Sequence, residues 1–68
     1  MPPEWMTKHV THIEIWRAIR GFEVRLVGPN GWTMDRFRSR TIEDARGCAD
    51  AQAFACGNCR VDDKSGMA

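Results

Sequence analysis

The clearest pattern along the chain is an alternation of apolar and polar residues. Ile13, Ile15 and Ile19 fall at odd positions with Glu14 and Trp16 between them, which predicts a strand from Val10 to Ile19. Phe22-Glu23-Val24-Arg25-Leu26-Val27 alternates without a break and predicts a second strand. Arg20-Gly21 reads as the turn between them. A two-residue turn there pairs Ile19 with Phe22, Arg17 with Val24 and Ile15 with Leu26. The apolar sets of both strands then share one face, and two patterns agreeing on one register predict a hairpin.

Gly28-Pro29-Asn30-Gly31 is a second turn, in which Pro presets φ and Asn and Gly tolerate positive φ. Trp32 to Arg38 reads as the third strand, with Thr33, Asp35 and Phe37 inward and Trp32, Met34 and Arg36 outward. An inward Asp35 is uncomfortable unless the strand bulges there. Thr41 is placed as the N-cap of a helix with Glu43 and Asp44 in its first turn. Ile42, Ala45, Ala49, Ala53 and Cys56 form one narrow stripe of mostly small residues, which suits close approach to a sheet. Gly57-Asn58 ends the helix, and Cys59-Arg60-Val61-Asp62 is long enough for a last edge strand. The expected fold is α+β: a three- to four-stranded antiparallel sheet with one helix on one face, in the order β-β-β-α-β. Residues 1–9 read as an N-terminal arm, 10–62 as a single domain and 63–68 as a flexible tail.

Composition narrows the function classes. The chain has 68 residues, 10 Lys and Arg against 9 Asp and Glu, and a formal charge of +1. That excludes a nucleic-acid grip by bulk charge and equally a carboxylate-coated mimic of DNA. A domain this short buries only about 60% of its unfolded surface, so its stability is thin. No run approaches the roughly 18 apolar residues of a membrane span, and the start lacks the charged and apolar regions of a secretory signal. Cys48, Cys56 and Cys59 are an odd number, unlike a secreted disulfide framework. The expected setting is the cytoplasm, with reduced thiols and no membrane.

From Phe22 to Gly31, then through Phe37-Arg38-Ser39-Arg40 into Ala45-Arg46-Gly47, the chain resembles one repeat of the YegP-like small domains. Those carry a strand ending in Arg-Leu, an Asn-Gly turn, an aromatic-x-Ser-Lys/Arg step and a helix containing Gly. The resemblance spans residues 13–61 and implies the same fold, with no activity attached; Trp32, Met34 and the three cysteines depart from it. In size and architecture alone the chain is similar to proteins of phages and mobile elements, including several anti-CRISPR inhibitors.

Candidate chemistry is sparse. Cys56-Gly57-Asn58-Cys59 and His9-Val10-Thr11-His12 together offer two thiolates and two imidazoles to a tetrahedral zinc. The spacing departs from finger patterns, and strand residues three apart point to opposite faces, so packed thiols and solvated histidines are the expectation. As a redox pair the two cysteines close a helix C-terminus, whereas reactive pairs place a thiol at an N-terminus. No nucleophile elbow or phosphate loop occurs. No catalytic residue, metal or cofactor is therefore expected.

Arginine is the more telling feature, since eight of the ten basic residues are Arg. Arg is suited to planar, bidentate recognition of carboxylate or phosphate. Arg36, Arg38 and Arg40 alternate, and a solvated face balanced by Glu14, Glu23 and Asp35 is the bland alternative. The registers above gather Trp16, Arg25, Val27, Trp32, Met34 and Arg36 on the outer sheet face, with Trp16 opposite Arg25 as a cation–π pair. Such residue types are enriched at binding hot spots. The expected partner-binding set is Trp16, Arg25, Trp32, Met34, Arg36 and Arg38, unless Trp5 and Met6 of the arm or a second copy cover the face. The expected function is a non-enzymatic protein-binding module, concretely an anti-CRISPR type inhibitor that blocks a nuclease or surveillance complex. The alternative is a nucleic-acid binder using arginines and exposed tryptophans. A homodimer is also open.

Overall fold

The structure is a computed structural model that describes residues 9–66. Four strands and a helix follow in the expected order: β1 (His12–Ala18), β2 (Gly21–Val27), β3 (Thr33–Ser39), α1 (Ile42–Ala55) and β4 (Arg60–Asp63). The sheet order is β3-β2-β1-β4. β1–β2 and β2–β3 pair antiparallel, while β4 pairs with β1 in parallel. The sheet is thus mixed rather than wholly antiparallel. The reason is the crossover: α1 carries the chain from the β3 edge to the opposite edge, and β4 sets off in the direction of β3 and hence of β1.

Ile13, Ile15, Val24 and Leu26 are fully buried on one face, against Ala45, Ala49 and Ala53 of α1. Ile42 and Cys56 complete the stripe, half-buried. With only alanine methyl groups at its fully buried positions, the middle of α1 packs on the sheet without large side chains of its own. Thr41 caps it, its Oγ1 accepting from Asp44 N at 3.1 Å. At the other end Gly57 N donates to Phe54 O and Cys59 N to Ala53 O, so carbonyls of the last turn find donors. Gly57 and Asn58 both have positive φ, 84° and 62°, which stops the helix there.

Three details of pairing differ from the sequence reading. Ala18 pairs with Gly21, so the two-residue turn is Ile19-Arg20, and Ile15 faces Val24 while Ile13 faces Leu26. Ile19 stands fully exposed at the tip instead of joining the core. Gly21 is required for another reason than the turn: a Cβ there would lie 2.4 Å from Ser39 O on β3, and its φ is +142°. In β3 a bulge falls between the pairs Leu26–Asp35 and Val27–Thr33. Asp35 and Phe37 stay opposite Leu26 and Val24, but Thr33 now faces Val27 instead of pointing inward, and Met34 packs against the core. Val27 is itself buried. Finally, within the stretch read as a tail, Asp63 belongs to β4, Lys64 N donates to Ile15 O at 2.8 Å and Ser65 is buried, while residues 67–68 lie outside the described residues. Of the arm, residues 1–8 lie outside the described residues, and so does the expectation that Trp5 and Met6 fold back over the sheet.

Candidate functional site

The face of the sheet away from α1 is polar and divides into two halves. On the β1–β4 half, Glu14 is the hub. Its Oε2 accepts from His12 Nε2 at 2.9 Å and from Lys64 Nζ at 3.3 Å, and its Oε1 accepts from Trp16 Nε1 at 2.8 Å. An ionised carboxylate only accepts, so His12 must donate from Nε2. Partial burial pushes the Glu14 carboxyl up, but the bonds from His12, Trp16 and Lys64 outweigh it and bring it down to about 2. Arg60 Nε reaches both oxygens of Asp62, at 2.9 and 3.0 Å, on the outer strand. Acids and bases balance in this half.

Trp16 is the seam between the halves. The Arg25 guanidinium lies 4.9 Å and the Lys64 ammonium 5.4 Å from its ring centroid. The cation–π contact with Arg25 is therefore present, but diagonally: Trp16 pairs directly with Glu23, and Arg25 with Glu14. Arg25 also donates from Nη2 to Glu23 Oε2 at 3.3 Å, while its buried Nε has no acceptor.

The β2–β3 half is different. Glu23 is the carboxylate that faces its arginines, with Oε2 on Arg25 and Oε1 on Arg36 Nε at 3.3 Å. Arg38 sits opposite Glu23 in register, but both carboxylate oxygens are already engaged. Positive charge therefore accumulates at the β3 edge and continues to Arg40. The molecule's near-zero net charge hides this basic edge, because acids off the outer face, Glu43, Asp44 and Asp50 of α1 among them, offset it.

At the end of this basic edge the β1–β2 turn stands beside the last residues of β3 and leaves an open cleft of about 280 Å³. Ala18, Arg20, Phe22, Arg38, Ser39 and Arg40 line it. It forms because three small contributions meet there: Ala18 pairs with Gly21, Gly21 has no Cβ, and Phe22 pairs with Ser39.

Of the six residues expected to form one binding face, Trp16, Arg25, Arg36 and Arg38 do share the outer side of β1, β2 and β3. Trp32 precedes β3 in the turn region and is 78% exposed. Met34 does not belong with them, because the bulge turns it to the core, where its Sδ would lie 2.9 Å from a Cβ at Gly28. Sequence reasoning named Glu14 and Glu23 as balancing acids but missed which cations each engages, and it missed the meeting of Arg20 with Arg38 and Arg40. The alternating signs along β1 and β2 carried the first signal; the second needed the β2–β3 register. Cys48, Cys56 and Cys59 pack against the core. Cys59 Sγ donates to Cys56 O at 3.0 Å, and burial pushes the Cys48 thiol up, as burial and the neighbouring Cys59 do for Cys56. Among the described residues no three His, Cys, Asp or Glu side chains gather as a metal set, and no helix is long and apolar enough to cross a membrane. No family model, curated protein or solved structure matches this chain.

Proposed function

We propose that the protein is a non-enzymatic binding module that docks on an acidic protein surface through the β3 edge and the adjoining outer face. The observation that carries this reading is the charge imbalance around Glu23, one carboxylate facing Arg25, Arg36 and Arg38, on the sheet edge whose first strand residue follows the exposed Trp32. Arg and Trp dominate hot spots because they combine large contact area with directional donors. An edge strand of seven residues also offers backbone groups to a partner's extended segment. In its finest form the reading is a stoichiometric inhibitor of the anti-CRISPR type, acting in a host cytoplasm on a nuclease or surveillance complex; size and architecture support it. The resemblance to YegP-like domains supports the same order of elements and adds no activity.

The test is affinity capture from cells that naturally carry the protein, using wild type, Trp32→Ala and Arg36→Glu. Loss of a wild-type partner from both variants, with unchanged circular dichroism, supports the docking edge. Retention of that partner by both sinks it. A second reading, direct nucleic-acid contact, draws on the same segregation of arginines. A gel shift at low salt that Arg36→Glu abolishes would favour it, and no shift with single- or double-stranded nucleic acid removes it.

A further inference from the structure

We infer that the cleft at the hairpin end is a binding site for a phosphate monoester carried on a flat apolar body such as an aromatic ring. Arg20 comes from the β1–β2 turn, Arg38 from β3 and Arg40 from the step into α1, yet all three line one cleft. All are exposed, and among the described residues none has a carboxylate partner within ion-pair distance. The acid nearest in register, Glu23, is engaged by Arg25 and Arg36. Glu43 and Asp44, which follow Arg40 at the start of α1, make no ion pair with it.

Three unneutralised guanidinium groups around one cleft repel one another, and an anion of matching charge relieves that repulsion. Each guanidinium offers five donors in a fixed fork. A phosphate monoester presents three terminal oxygens and close to two negative charges at neutral pH, whereas a carboxylate presents two oxygens and one charge. The remaining lining is Ala18, Phe22 and Ser39. Inorganic phosphate would leave wet the apolar atoms of Ala18 and of the half-buried Phe22, which also packs against the core; a ring bearing the phosphate would cover them. The volume of about 280 Å³ suits one phosphorylated ring. The cleft shares Arg38 with the docking edge, but the docking test residues Trp32 and Arg36 do not line it, so the two readings fail separately.

The experiment is a titration of the ¹⁵N-labelled full chain with phenyl phosphate at constant ionic strength, alongside benzoate and inorganic phosphate. Saturable shifts at the amides of Phe22, Ser39 and Arg40 are expected, with phenyl phosphate binding at least about 10-fold tighter than either comparison anion. Arg38→Gln and Arg40→Gln should each weaken it about 10-fold while keeping native spectra, and Arg60→Gln on the far edge should not. Adenosine monophosphate and O-phosphotyrosine then distinguish a nucleotide from a phosphorylated side chain as the source of the group. No saturable shift, equal binding of benzoate or inorganic phosphate, or wild-type affinity in both glutamine variants overturns the site.

Discussion

Replacing Glu14 by Gln removes one charge from the centre of the outer-face network and leaves its shape almost unchanged. The side chain is 14% exposed and holds hydrogen bonds from His12, Trp16 and Lys64, which together bring its carboxyl from an ordinary 4.5 to about 2. Each tenfold change in proton affinity corresponds to about 1.4 kcal/mol, so that displacement has an upper bound of roughly 3.4 kcal/mol. The network lies at the sheet surface, where solvent screens it, and about 1.5 kcal/mol is the reasonable share. The sign follows from the direction. A carboxylate held down in the folded state contributes fully above 4.5 and loses that contribution as the pH falls towards 2. Urea unfolding of wild type and Glu14→Gln, followed by tryptophan fluorescence across that range, reads it directly. The wild type should be more stable by about 1.5 kcal/mol at pH 7, with the gap narrowing below pH 4.5 and closing near 2. Equal stability at neutral pH, or a gap unchanged in acid, would refute the role given to Glu14.

Other substitutions probe the packing. Gly21→Ala should cost roughly 2–4 kcal/mol in a thermal melt, because its Cβ would meet Ser39 O at 2.4 Å with φ at +142°. Gly47→Ala should do the opposite and add about 0.5–1 kcal/mol, since it lies within α1 and nothing stands within 4 Å of a Cβ there. Ala49→Leu should lose about 1–3 kcal/mol in urea unfolding, because Ala49 is fully buried where α1 lies close on the sheet. Alkylation of Cys48 and Cys56 at neutral pH should be slow in the native protein and fast in denaturant, as burial raises both thiols.

Where the hydrophobic pattern matches the strand pairing, and where it does not, follows from the geometry of sheets. Side chains alternate with period two, so moving the turn by one residue, from Arg20-Gly21 to Ile19-Arg20, slides the pairing by two and leaves the core residues of both strands on their expected face, Ile19 alone leaving it for the turn. That is why Ile13, Ile15, Val24 and Leu26 were legible as core although their partners were not. Gly21 attracted the turn assignment by its residue type; its actual constraint comes from Ser39 on β3, which no local pattern displays. A bulge breaks the same parity. The step between Leu26 and Val27 is what places Met34, and the awkward inward Asp35 is the one sign of that irregularity in the sequence of β3. The helix was readable in full from Thr41, the alanine stripe and Gly57, because caps and period are local signals. The edge that β4 joins is set by the path of α1 over the sheet, which is non-local, and the mixed sheet was therefore hidden. The candidate surface was legible in residue type and only partly in arrangement: Trp16 and Arg25 do meet, but as diagonal neighbours, and the charge excess lies at the β3 edge.

The docking edge is tested most directly by capture with wild type and with Arg36→Glu, quantified by mass spectrometry and paired with circular dichroism of both proteins. Wild type should hold a protein partner stoichiometrically, and the charge-reversed variant should lose it while the fold signal is unchanged. Equal recovery of that partner by both proteins would contradict it.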